Sequence, residues 1–176
     1  MNRTLLLGAL MVLSLATPAW GQSPVTSVAA VDLVRYSGKW FEIASFPMYF
    51  QRNCVGDTTA HYIPSPDGSI GVHNRCRTKD GFDDATGKAT VVEGFGNSRL
   101  KVSFFWPFKG DYWVLGLDPE YRWAVVGSPN RKYLWVLSRT PQLDKVMLDA
   151  ALASARTQGF DLSQLRYTTQ TQEIKP

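Results

Sequence analysis

From Lys39 onward, apolar and polar residues alternate in short runs broken by Gly, Pro, Asn and Asp. This is the pattern of strands with one face in a core and the other in water. Residues 39–46 (KWFEIASF) stop at Pro47, and residues 56–63 and 69–78 flank Pro64-Ser65-Pro66-Asp67-Gly68, a hairpin signal. Residues 86–95 and 99–106 flank Gly96-Asn97-Ser98, residues 111–117 and 121–127 flank Asp118-Pro119-Glu120, and residues 132–139 close the series. Such spacing predicts an all-β fold, a barrel or sandwich of antiparallel strands. One helix follows, with Thr140 as cap, Pro141 in the first position and Asp144 in the first turn. Leu143, Val146, Met147, Ala150 and Ser154 give it one face for the barrel wall, and Arg156 and Gly159 mark its end. A short ninth strand near residues 165–169 is expected beside the first, while residues 22–30 and the tail after Thr171 read as loose.

Hairpin connections throughout make sequence neighbours sheet neighbours, so alternate turns fall at opposite ends. One end then gathers Gly38, Trp40, the 118–121 turn and Arg139; the other carries residues 47–55, 79–85, 106–110 and 128–131.

Ahead of the strands, Met1-Asn2-Arg3 and a mostly apolar run from Leu5 to Ala16 precede Pro18 and Ala19-Trp20-Gly21. This is the order of an export signal cleaved before Gln22, leaving residues 22–176 as one domain. A membrane anchor is the alternative, and the run is short against the roughly 20 apolar residues a spanning helix needs. No cysteine lies at the cleavage point to carry a lipid, so a soluble periplasmic or secreted protein is expected. The net charge of +4 is too small and too scattered for a nucleic-acid footprint. Cys54 and Cys76 both lie in the exported part, where a pair reads as a disulfide. A metal site needs more ligands than two cysteines, and His61 and His73 show no ligand spacing, so no metal or other cofactor is expected.

Three motifs then carry a resemblance. Gly38-Lys39-Trp40-Phe41-Glu42-Ile43-Ala44 resembles the Gly-x-Trp signature that opens the first strand of lipocalins. Leu117-Asp118-Pro119-Glu120-Tyr121 is similar to the second motif of that family, and residues 134–141 (LWVLSRTP) to the third. The resemblance covers roughly residues 32–167 and is nearest the bacterial outer-membrane and apolipoprotein D type. It implies an eight-stranded up-and-down barrel, a calyx with one C-terminal helix packed on it. It implies that Trp40 plugs a closed end, where Arg139 lies on the indole as a cation–π partner worth about 0.5–2 kcal/mol. Glu42 shares the face of Trp40 and reads either as a structural carboxylate near the plug or as a ligand contact.

The same resemblance places Tyr62, Asn74, Phe104 and Trp135 on the calyx lining, and strand parity adds Val102 and Leu100. These residues either fill a core or surround an apolar guest; the family's cavity favours the guest. Met48-Tyr49-Phe50 and Trp106-Pro107-Phe108 are apolar triplets in open-end loops, which read as touching a membrane, gating entry or folding back over the mouth. The implied function is carriage of fatty acids, lysophospholipids or similar molecules by a monomer or weak homodimer. Catalysis needs a nucleophile or base aimed into the calyx, and tetrapyrrole binding needs an inward axial ligand. Parity points His61 and His73 outward. The expected N-terminus of the exported protein is Gln22, and an intact-mass measurement on secreted material checks it.

Overall fold

The computed structural model describes residues 22–171; the export signal read in residues 1–21 and the tail after Thr171 lie outside the described residues. A one-turn helix α1 (Leu33–Tyr36) leads into β1 (Gly38–Ser45), β2 (Gly56–Pro64), β3 (Ile70–Thr78) and β4 (Gly81–Val91). Then come β5 (Arg99–Phe105), β6 (Phe108–Leu117), β7 (Trp123–Gly127), β8 (Leu134–Ser138), helix α2 (Lys145–Thr157) and β9 (Arg166–Tyr167). Each strand from β2 to β7 pairs antiparallel with the next, and β1 pairs with both β2 and β8. The sheet therefore closes on itself as a barrel rather than splitting into a sandwich. β9 continues beside the upper end of β1, Ala44 facing Tyr167.

Several boundaries move for physical reasons. β4 starts at Gly81, so the expected loop over residues 79–85 is a two-residue turn within a long β3–β4 hairpin. Residues 81–86 are exposed on both faces, so the hairpin overhangs the barrel without the alternation that marks a half-buried strand. β6 begins at Phe108, paired with Phe105, and the expected connection over residues 106–110 shrinks to Trp106-Pro107. The helix starts after Asp144, whose carboxylate caps it by accepting from the Met147 N–H at 2.9 Å. Thr140 is not the cap: its hydroxyl donates to the Gln142 carbonyl and holds a turn. The buried face is Ala151, Leu152 and Ala155, with Met147 and Leu148 at its edge, whereas Val146 and Ala150 face water.

Residues 22–30 are not loose. Val25 is buried, Thr26 N–H donates to Gln158 Oε1, and the Val28 N–H donates to the Val114 carbonyl. The segment is laid along the outside of the barrel from the end of α2 to the 92–98 turn, where the Val31 N–H meets the Gly96 carbonyl.

Two apolar cores share the strands β6–β8. Val114, Ala124, Val126 and Leu137 point into the barrel, while Leu115, Trp123, Val125 and Val136 point out beneath α2. These strands therefore read as continuous apolar runs. Gly116 lets the helix approach: a Cβ there would lie 2.3 Å from Ser154 Oγ.

A carboxylate clamp seals the seam where β1 and β2 part above Phe41. Residues 168–171 run into the gap, with the Asp57 N–H donating to the Thr169 carbonyl and Gln170 Nε2 bridging the Glu42 and Thr58 carbonyls at 2.9 Å each. Asp57, buried, accepts from Arg77 Nε at 2.7 Å and from the N–H and hydroxyl of Thr171. The Cys54–Cys76 disulfide ties the 46–55 loop to the top of β3. Closing a loop of this size contributes about 3 kcal/mol.

Burial alone would raise the Asp57 carboxyl, but Thr171 and Arg77 together hold it below the ordinary value of 3.8. A depressed carboxyl stabilises the fold above its unfolded pKa, and that stability is lost as pH falls through the folded one. Asp57→Asn is expected to cost about 2 kcal/mol at neutral pH. In denaturant titrations the gap to wild type should narrow below pH ~4, where the unfolded-state carboxyl takes up its proton.

Candidate functional site

The closed end is built around Gly38, Trp40 and Arg139. Gly38 holds φ +90°, a conformation costly for any residue with a Cβ, and Arg139 Nη1 would lie 3.6 Å from that Cβ. The chain then places Trp40, fully buried, with its Nε1 donating to the Tyr36 carbonyl at 2.7 Å. The Arg139 guanidinium lies 3.9 Å over the indole and donates to the carbonyls of Lys39 and Arg35. The 118–122 turn is tied to α1. Tyr121 accepts at its hydroxyl from the Asp32 N–H at 2.8 Å, and Arg35 lies over its ring at 4.1 Å. Asp118, buried, receives a two-pronged bond from Arg122, which with burial opposing it leaves the carboxyl below its ordinary value.

Above the plug lies a layer that the linear pattern did not single out. Tyr36, Tyr62 and Tyr112 join through their hydroxyls, Tyr112 meeting each of the other two at 2.8 Å. Tyr36 also packs on Trp40 with ring centroids 5.0 Å apart. Burial pushes Tyr62 up to about 12 and raises Tyr36 and Tyr112 well above 10, so the floor is neutral at physiological pH. Parity had a signal for Tyr112, which shares the inward face of β6 with Val114. Tyr36 sits in a helix of four residues, too short to show a period.

The floor divides the interior. Beneath it Leu100, Ile70, Ala89 and Val114 leave a void of about 10 Å³. Over it opens a cavity of about 790 Å³ that reaches the mouth. Glu42, Tyr62, Asn74, Val102, Phe104 and Trp135 line this cavity; Leu100 does not, and packs under the floor. The β5–β8 side is aromatic, with Tyr133 stacked on Trp135 at 6.1 Å and Phe50 6.0 Å from Tyr133. The β1–β3 side is polar, and Asn74 Oδ1 and Gln51 Oε1 are buried there with no hydrogen-bond partner among the described residues.

Glu42 is not near the plug. Its carboxylate accepts from Ser45 Oγ at 3.1 Å, Gln51 Nε2 at 2.9 Å and Thr168 Oγ1 at 2.5 Å, partners from the upper wall and the strap. At the mouth, Met48 folds inward and is buried, while Phe50, Trp106 and Phe108 stay exposed. Neither His61 nor His73 lines the cavity, and His73 Nε2 pairs with Asp84 at 2.7 Å on the outer face.

Residues 31–170 match the family described as Lipocalin-like domain. The chain is 42% identical over 149 residues to the outer membrane lipoprotein Blc of Vibrio cholerae, covering 83% of this chain and 86% of that one. It is 38% identical over 159 residues to temperature-induced lipocalin-1 of Arabidopsis thaliana, covering 82% of each. Apolipoprotein D of Bos taurus is 32% identical over 122 residues, covering 64% of this chain and 62% of that one. Among solved structures, insecticyanin from the tobacco hornworm Manduca sexta superposes with a TM-score of 0.70 at 18% identity, over 84% of this chain and 85% of that one, a likeness of fold.

The tyrosine floor is open to titration. A raised pKa in the folded state stabilises fully below the unfolded value and is lost as pH rises through the folded one. Of the seven tyrosines, three should resist ionisation at pH 11 in an ultraviolet difference titration and ionise only as the barrel opens. Tyr112→Phe, which strands two hydroxyls, should cost about 1–3 kcal/mol of stability.

Proposed function

The chain belongs to the lipocalin family, and from that premise we propose that its mouthward cavity carries a single-chain amphiphile such as a fatty acid or a lysophospholipid. Membership of this family and likeness to its Blc and apolipoprotein D members go with binding of small hydrophobic molecules. The observation that carries the finer reading is the cavity itself, about 790 Å³, walled on one side by Val102, Phe104 and Trp135. That volume lies in the range of pockets that enclose most of a small ligand. An apolar tail laid on this wall gains about 25 cal/mol per Å² removed from water, before ordering costs.

The polar side has two roles in this reading. Glu42 already receives three side-chain donors, so it holds the wall together rather than meeting the guest. Asn74, with a buried carbonyl oxygen facing the cavity unpaired, is the polar contact for the guest's headgroup. A buried acceptor without a partner costs stability, and a ligand donor relieves that cost.

The protein acts by holding its guest, without turnover. Cys54 and Cys76 are bonded to each other, both histidines lie off the cavity, and Glu42 in its wall is held by three donors, which supports binding over catalysis. It works outside the cytoplasm, in the envelope or secreted, where a disulfide persists. The relatives named outer membrane lipoprotein carry a lipid by name; here both cysteines are occupied in the disulfide, which supports a soluble carrier.

Oleate added to delipidated protein should quench tryptophan emission saturably with a stoichiometry of one. Trp135→Ala and Val102→Arg should each weaken binding about ten-fold or more, which corresponds to at least about 1.4 kcal/mol. Absence of saturable binding to any single-chain amphiphile, with the barrel intact by circular dichroism, would overturn the reading.

A further inference from the structure

We propose that the rim of the open end is a docking face for an anionic lipid bilayer. The β5–β6 hairpin presents Phe105 and Phe108 as a facing pair below a tip in which Trp106 is 89% exposed. Across the mouth from it, the 46–55 loop holds Tyr49 and Phe50 outward. Met48 in that loop folds into the core, so the exposure of its neighbours is not a failure of the loop to pack. Large apolar side chains standing in water on both sides of one rim mark a contact surface. Trp and Tyr, with an apolar body and a polar handle, are the residues that settle at a membrane–water interface.

Charge chooses the occupant. Three of the open-end connections with their flanking strand ends, residues 46–55, 104–110 and 128–135, contain no Asp or Glu and carry Arg52, Lys109, Arg131 and Lys132. The fourth, the β3–β4 turn, sets Lys79 beside Asp80, and its overhang adds Asp83 and Asp84, the latter held by His73 and Arg75. At the other end the connections over residues 65–69, 92–98 and 118–122 hold Asp67, Glu93, Asp118 and Glu120 against Arg122 alone. Outside the β3–β4 overhang the mouth connections are thus basic, whereas at the plug Arg35, Lys39 and Arg139 offset the acidic turns. A second copy docking mouth to mouth would oppose two like-charged rims. An anionic lipid surface complements the rim, attracting each nearby Lys or Arg while the aromatic tip enters the headgroup layer. Arg52, stacked at 3.9 Å on Tyr49, joins both features in one loop. Docked in this way, the cavity opens directly onto lipid, because Phe50, Phe105 and Phe108 belong to its lining as well as to the rim.

The inference rests on the rim and not on the identity of the cargo, and the test separates the two. Purified protein is floated with vesicles of phosphatidylcholine alone and of phosphatidylcholine with phosphatidylglycerol. Trp106, Arg52 and Lys132 do not line the cavity, so their variants are the probes, and oleate binding and thermal unfolding are followed in parallel. The protein should float with the anionic vesicles and at least ten-fold less with the neutral ones. Trp106→Ser should lower partitioning about ten-fold, and Arg52→Gln and Lys132→Gln about five-fold each. Equal binding to both vesicle types, no binding to either, or no loss with Trp106→Ser overturns the proposal. So does a dimer, seen by sedimentation velocity, that Trp106→Ser dissolves, since the rim's partner is then a second copy. Normal docking by a chain that takes up no oleate upholds this proposal and removes the cargo reading.

Discussion

The Arg139 guanidinium on the face of Trp40 is the contact from which the rest of the interior follows. An eight-stranded barrel is just wide enough to be filled by side chains or to keep one small guest. Which of these holds depends on where the filling stops. Here Gly38 turns β1 so that Trp40 stands on the axis, Arg139 covers it from outside, and the carbonyls of Lys39 and Arg35 fix the arginine. Tyr36, Tyr62 and Tyr112 settle on that stop and, through their hydroxyls, satisfy one another. With the lower half occupied by bonded aromatics, the upper half has walls but no filler.

Such a hollow has to be braced from elsewhere, because packing across it is missing. α2 supplies the brace on one side, pressing Ala151, Leu152 and Ala155 against outward residues of β6–β8. The disulfide and the carboxylate clamp at Asp57 supply it on the other, near the top of β2 and β3. The two devices differ because the surfaces differ: β6–β8 are apolar on both faces, while the upper β3–β4 hairpin is wet on both.

The legible parts of the sequence were those with a period or a motif. Eight strands followed from alternation and turn residues, and the closed-end trio of Trp40, Asp118 and Arg139 from three motifs in order. What escaped had no period to show. The start of β4 at Gly81 overhangs the barrel and does not alternate. Asp144 outcompetes Thr140 as cap because Thr140 spends its hydroxyl on the turn before the helix. Leu100 shares the inward parity of Val102 and Phe104 yet lies under the tyrosine floor, since parity gives a face and no depth. Strand parity leaves Glu42 open between the plug and the guest, and its partners Gln51 and Thr168 come from segments whose convergence only the closed barrel creates.

The strap over residues 168–171 has a consequence for how the vessel is closed. Thr168 meets Glu42 across 126 positions of sequence, the longest reach of any bond to that carboxylate. Closing a loop of that length costs chain entropy that the contact has to offset. The upper gap between β1 and β2 is therefore bridged from the far end of the chain, and the wall there is whole only with residues 168–171 in it.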